Sequence, residues 1–191
     1  MQHLLLVSNN TRHQALLKKS IDRENCSISA VYQPGDLGTV ELQLSTIDMV
    51  VMDLDDNGEK ALKAVRQIMQ NRPLPVIMFV QCGDRESAEN ATAAGVSAYV
   101  VDGLQQERIA PILAAAMTRF QETQALRDEL EHAKTSLEER KIIERAKGLL
   151  MQQRSCTEDA AYSALRKLAM ERSKRLAEVS ISVIDAATLM N

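Results

Sequence analysis

The sequence predicts an α/β protein: a doubly wound five-stranded parallel sheet, followed by a long coiled-coil helix and a C-terminal three-helix module. Three observations carry this. Short apolar runs alternate with helical stretches through the first 118 residues. All four prolines (Pro34, Pro73, Pro75, Pro111) and six of the seven glycines lie at or before residue 111, so Gly148 is the only breaker in the last 80 residues. Beyond residue 119, Leu126, Leu130, Ala133 and Leu137 recur at the spacing of a coiled-coil seam.

Taken in order, "HLLLVS" is a short apolar strand followed by a polar turn and a helix from about Thr11 to Arg23, with Leu16, Leu17 and Ile21 on one face. "CSISAVY" is a second strand, and Asp36 to Ser45 a short helix. "IDMVVMDL" is apolar until Asp53, as expected of a central strand buried on both faces. "GEKALKAVRQIM" places Leu62, Val65 and Met69 at helical spacing, "PVIMFV" is the fourth strand, "RESAENATAAG" a helix ending at Gly95, and "SAYVV" the fifth strand. Strands separated by helices at these intervals call for crossover connections and therefore a parallel sheet. A helix then begins at Leu104, accommodates Pro111 near its start, and runs to about Gln152, a span of about 70 Å at the usual helical rise. Two more helices follow, Glu158 to Arg172 with Thr157 as N-cap, and Leu176 to Leu189. Boundaries at 1–118, 119–137 and 138–191 divide the chain into a sheet domain, a linker helix and a helical domain.

Composition narrows the function. The chain has 191 residues, 45% hydrophobic and 26% charged, with only 3% aromatic and no Trp. Cys26, Cys82 and Cys156 are widely spaced and fit reduced thiols in the cytoplasm. No run of 18 apolar residues occurs, so no membrane partner is expected. The net charge of −3 is unevenly spread: residues 1–118 hold 10 Lys/Arg against 14 Asp/Glu, and residues 138–178 hold 10 against 7. A basic segment in an acidic chain suits a polyanion, although a solvated charged surface gives the same count.

Ligands of a doubly wound sheet sit beyond the carboxyl ends of its strands. Here those ends carry Ser8, Asn9 and Asn10, then Asp53 with Asp55 and Asp56, then Val80, then Asp102. No GxGxxG or GxxxxGK[ST] is present, so no nucleotide cofactor is expected. The three clustered carboxylates read better as turn sequence than as a metal site. The arrangement resembles the receiver domain of bacterial response regulators, in which the aspartate ending the third strand accepts a phosphoryl group. Asp53 matches that acceptor. The resemblance implies an acidic pair where Ser8 and Asn9 stand, a hydroxyl where Val80 stands, and a Lys-Pro step where Asp102-Gly103 stands. Phosphoryl transfer needs developing negative charge to be neutralised, and a site of carboxylates without a lysine opposes it. A receiver look-alike that does not use aspartyl phosphate is expected.

In the tail, Ile142, Ile143, Ala146, Leu149 and Leu150, then Ala161, Leu165, Leu168 and Ala169, then Leu176, Val179, Val183, Ile184 and Ala187 supply three stripes for one small core. Arg140, Glu144, Lys147 and Met151 follow a second face, beside Gly148. Glycine inside a helix costs about 1 kcal/mol against alanine, a cost that close approach of a facing helix or a ligand backbone would offset. The stretch "RKIIERAKGLLMQQRSCTEDAAYSALRKLAMERSKRLAEVS" resembles the ANTAR domain, the RNA-binding module of AmiR and NasT-type transcription antiterminators, with Ser180 where that family commonly has Ala. With the receiver-like front and the coiled coil, the resemblance spans nearly the whole chain. It implies binding of paired leader-RNA hairpins, and Arg140, Lys147, Gly148, Arg166, Arg172 and Arg175 are the expected contacts. Tyr162, the only ring in the tail, is expected in the core with its hydroxyl satisfied.

The resemblance also implies control by a small-molecule-sensing partner protein, with amides or nitrate and nitrite as inducers and hence nitrogen metabolism. The seam of Leu126, Leu130, Ala133 and Leu137 is expected to make a homodimer or to be masked by that partner. An adaptor or signalling dimer without nucleic-acid activity is the alternative, and a duplex-DNA regulator lacks a helix-turn-helix signature. No enzyme activity is expected, because no His, Cys or Ser is set beside an activating partner and His3, His13 and His132 occupy positions suited to exposed polar residues.

Overall fold

The computed structural model describes residues 2–21, 26–33, 46–55, 58–102 and 104–189. The expected helix at 36–45, together with Asp56 and Gly103, lies outside the described residues. The chain divides into two compact units, Met1–Gln124 and Ala125–Asn191.

In the first unit, β1 (Gln2–Ser8), β2 (Cys26–Tyr32), β3 (Met49–Leu54), β4 (Val76–Val80) and β5 (Ala98–Val101) form one parallel sheet of order β2-β1-β3-β4-β5. The three inner strands carry continuous apolar runs (Leu4–Val7, Met49–Met52, Val76–Val80) because both of their faces are covered there. Leu5, Val7, Val50, Met52, Val76 and Met78 point to one side, where α2 (Glu59–Asn71) and α3 (Arg85–Ala94) bring Leu62, Val65 and Ala91. Leu4, Leu6, Met49, Val51, Ile77 and Phe79 point to the other, against Leu17 and Ile21 of α1 (Thr11–Ile21) and Ile109, Leu113 and Ala116 of α4 (Gln106–Arg154). Fully burying one such Leu, Ile or Phe contributes about 1.5–3 kcal/mol, so the two layers dominate the stability of this unit. Helix α3 starts at Asp84, whose carboxylate accepts from Ser87 N at 2.8 Å, and stops at Gly95. Gly95 has φ 106°, and a Cβ there would lie 2.7 Å from Met69 Cγ, so both backbone and space exclude other residues.

In the second unit, the end of α4 packs with α5 (Glu158–Glu171) and α6 (Leu176–Leu189). Pro111 stands inside α4 at its second turn, and the helix continues to Arg154. Thr157 caps α5 as its sequence suggests, its hydroxyl accepting from Ala160 N. The core here is small: Ala146, Leu150, Ala161 and Leu165 are buried, with Cys156, Leu176, Val183 and Ile184 packed against them. Ser180 is fully buried and returns its hydroxyl to Leu176 O at 2.8 Å, so its extra polar atom over alanine is satisfied within α6. With Ala169, Ala177, Val179 and Ala187 also buried, most of this core is alanine, which leaves polar contacts between the helices a large share of what fixes their geometry.

Candidate nucleic-acid interface and the receiver-like cleft

At the carboxyl end of the sheet, Ser8 and Asp53 are opposite one another in the β1–β3 register. Both are buried, and Ser8 Oγ donates to Asp53 Oδ2 at 2.6 Å. Asn10 begins α1 by accepting from the backbone N–H of Arg12 and His13 at 3.0 and 3.2 Å. That cap sets His13 on the first turn, with Nδ1 3.0 Å from Asp53 Oδ1 and 3.2 Å from Oδ2. Each carboxylate oxygen of Asp53 therefore already has a partner. The expectation that His13 is merely exposed is corrected: it is half-buried against the acceptor-equivalent aspartate. The sequence did hold a signal, since a residue three places after an Asn cap behind β1 faces the end of the adjacent β3.

His13, Asp53, Phe79, Val80 and Asp102 line a cleft of about 130 Å³. Val80 is buried, Asn9 and Asp102 are exposed, and Asp102 has φ 48° with its N–H bonded to Val80 O at 2.9 Å. Gln81 Nε2 donates to Asp55 Oδ1 at 3.1 Å. Among the described residues no group of three or more His, Cys, Asp or Glu is arranged to hold a metal ion. The donor set does not fit the Mg²⁺ that the receiver fold implies: a buried, neutral hydroxyl and an exposed amide replace the acidic pair, and Ser8 already occupies one oxygen of Asp53. Nor is this a nucleophilic triad, because hydroxyl and imidazole both bond the carboxylate and neither activates the other.

The second unit carries the basic residues expected to meet RNA. Arg140, Arg166 and Arg172 are exposed, with no ion pair among the described residues. Arg175, the residue before α6, is exposed and joins Glu178 of α6 at 3.0 Å and Glu139 of α4 at 3.2 Å. Lys147 differs. Its side chain is 9% exposed, and Nζ lies 2.6 Å from Glu158 Oε1 and 2.8 Å from Glu144 Oε1. The two carboxylates, Glu144 foremost, hold the ammonium above its ordinary pKa, and Lys147 in turn holds Glu158 below the usual carboxylate value. The expected free lysine on an open face is therefore corrected to a lysine clasped between α4 and α5. Gly148 beside it is exposed, and a Cβ there would meet nothing within 4 Å. Among the described residues no other helix packs against the glycine.

Tyr162 is 43% exposed, contrary to the core position expected of it. Glu158, Tyr162, Arg166 and Met170 recur every four residues and so share one face of α5, with Met170 exposed at its far end. Leu126, Leu130, Ala133 and Leu137 are exposed along α4, the three leucines at 66%, 54% and 54%. No helix of the described residues is long and apolar enough to cross a membrane.

These two units define a class of protein: a parallel-sheet domain of receiver fold followed by a small three-helix module. The ANTAR domain profile matches residues 131–184. The chain is 34% identical over 149 residues to the transcriptional regulatory protein PdtaR of Mycobacterium tuberculosis, covering 76% of this chain and 73% of that protein. It is 36% identical over 143 residues to a nitrate regulatory protein of Klebsiella oxytoca, covering 70% of this chain and 36% of that protein. Among solved structures, a response regulator from Thermotoga maritima aligns with a TM-score of 0.55 at 16% identity, covering 62% of this chain and 98% of that one, a likeness of fold. The chain belongs to the AmiR/NasT-type regulators, RNA-binding proteins of transcription antitermination that join a receiver-like domain to an ANTAR domain.

Proposed function

We propose that this regulator binds hairpins in leader RNA through its ANTAR module and favours them over a terminator, so that transcription proceeds. The observation that carries this reading is the ANTAR match over residues 131–184, a segment that contains Arg140, Arg166 and Arg172, exposed and without an ion pair among the described residues. Arginines supply phosphate contacts, and their planes stack on splayed bases where rings are scarce. Arg175 and Gly148 complete the contact surface, and the half-exposed Tyr162 offers one aromatic face to an unpaired base. The working boundaries are 1–118 for the pseudo-receiver, 119–137 for the coiled-coil linker and 138–191 for the RNA-binding module.

The active species in this reading is a homodimer through Leu126, Leu130, Ala133 and Leu137, whose exposure supports pairing with a second copy. Control comes from a ligand-sensing partner protein in place of aspartyl phosphorylation, which the bonded oxygens of Asp53 and the neutral Ser8 disfavour. Likeness to a nitrate regulatory protein supports a nitrogen-linked inducer, and action on a transcript as it is made calls for a cytoplasmic site. The test is a binding titration of the full chain against leader RNA with paired hairpins. Retention that falls steeply with salt is expected, and indifference to RNA structure at every salt concentration would leave the adaptor alternative.

A further inference from the structure

We propose that Lys147 is a positioning residue that sets α5 against α4 for RNA, and does not itself meet the RNA. The inference rests on the RNA-binding reading above and refines its site.

A lysine among the basic residues of an RNA-binding module is ordinarily counted as a phosphate contact. Such a contact needs a free, solvated ammonium. Here the lysine side chain is 9% exposed and Nζ is held by Glu144 of α4 and by Glu158 in the first turn of α5, at 2.8 and 2.6 Å, the two carboxylates themselves standing at the surface. Moving it to a phosphate would abandon both carboxylates and leave them facing the RNA's own negative charge. The pair with Glu158 crosses from α4 to α5, whereas the pair with Glu144 is local to α4. Glu158 is also the first residue of the α5 face that continues through Tyr162, Arg166 and Met170. Fixing Glu158 therefore fixes the rotation of the helix that presents Tyr162 and Arg166. The small apolar core beside it, Ala146, Leu150, Ala161 and Leu165, has few large side chains with which to specify that rotation alone. Arg175, just before α6, makes a comparable link to Glu139 of α4, but its own side chain is exposed where that of Lys147 is covered.

The two roles predict opposite signs for one substitution. Glu158→Gln removes a negative charge from beside the lysine. A phosphate-contacting Lys147 would be released by it, and RNA affinity would hold or rise. A positioning Lys147 loses its partner on α5, and affinity falls. The experiment uses the full-length chain and a two-hairpin RNA selected from a pool with randomised loops for retention by the wild type. Lys147→Met and Glu158→Gln are each expected to weaken binding roughly tenfold, with the double variant little worse than either, because the pair acts as a unit. The slope of log affinity against log salt should stay at the wild-type value, and Lys147→Arg should restore binding. The loss caused by Arg166→Ala should shrink in the Glu158→Gln background, a coupling that loss of stability alone does not produce. Glu158→Gln binding as tightly as wild type, or a salt slope about one lower in Lys147→Met, would overturn the proposal. A wild type that retains no RNA from the pool would overturn the RNA-binding reading itself, and this inference with it.

Discussion

Ser8 and Asp53 are register partners on adjacent parallel strands, and the serine hydroxyl closes on the aspartate carboxylate at 2.6 Å in the buried end of the sheet. A receiver needs that carboxylate open to a metal ion and a phosphoryl donor. Here its oxygens are engaged internally, Oδ2 by Ser8 and both by His13 Nδ1. Treating the full chain with a small-molecule phosphodonor and Mg²⁺ should leave its intact mass unchanged. Stoichiometric addition of one phosphoryl group at Asp53 would show that the hydrogen bonds open readily and that the site is used.

The same relationship predicts a cost for Ser8→Ala. Removing the hydroxyl takes the shorter contact from Oδ2 of a buried carboxylate and leaves it only His13 Nδ1 at 3.2 Å, a loss of about 1 kcal/mol. Urea denaturation of the variant should show a lower midpoint with an unchanged slope. Asp53→Ala should absorb most of that effect, so that adding Ser8→Ala to it changes little. Additive losses in the double variant would mean that the two residues act independently.

Gly148 separates stability from function. Its position is helical and open, since an added Cβ would meet nothing within 4 Å. Gly148→Ala should therefore stabilise the module by about 1 kcal/mol, through helix propensity and a less flexible unfolded chain. If an RNA backbone comes against this spot, the same methyl group should weaken binding. A higher thermal midpoint with unchanged RNA affinity would remove Gly148 from the interface.

The Lys147–Glu158 pair also predicts an acid-limb effect. Glu158 titrates below its ordinary value when folded, because Lys147 bonds its charged form. Its stabilising contribution is thus fully present above the unfolded carboxylate range and is lost as pH falls through the depressed folded value. Lys147, raised in the folded chain by Glu144 and Glu158, keeps its contribution until pH climbs through the raised value far on the alkaline side. Thermal midpoints measured from neutral pH downward should fall less in Glu158→Gln than in wild type. Parallel profiles would show that the pair adds nothing to the fold.

Much of this architecture is written locally in the chain. The apolar runs of β1, β3 and β4 read as buried strands because every residue in them meets a covered face, and α6 begins and ends at the residues its stripe suggests. Thr157 and Gly95 act on their immediate neighbours, so their roles were legible too. The misjudged residues depend on how elements cross. His13 reaches Asp53 across 40 positions, and Lys147 reaches Glu158 only because α5 turns back over α4. Tyr162 looked like core material by type, but its fourfold spacing from Glu158 and Arg166 places it on the outer face. Helical periodicity gives the faces of an element; which face is covered follows from a crossing angle that residue types alone do not encode.

The leucine stripe on α4 supplies the last prediction. Leu126, Leu130 and Leu137 each leave more than half of their surface exposed in the single chain, at spacings that place them on one seam with Ala133. Isolated exposed leucines are common, but three aligned on one helix make a strip that water covers poorly. A second copy of the helix would bury it at about 25 cal/mol per Å² of apolar surface, before the entropy of association is subtracted. Leu130→Lys puts a charge at the middle of that seam, and an unpaired charge there opposes pairing more strongly than a truncation does. Light scattering should give a dimer for the wild type and a monomer for Leu130→Lys, with the far-UV spectrum retained. If two ANTAR modules are needed to hold paired hairpins, the variant should also lose the gain in affinity that a two-hairpin RNA has over a single hairpin, while binding a single hairpin as before. A wild type that is monomeric at every concentration would instead assign the stripe to a different partner.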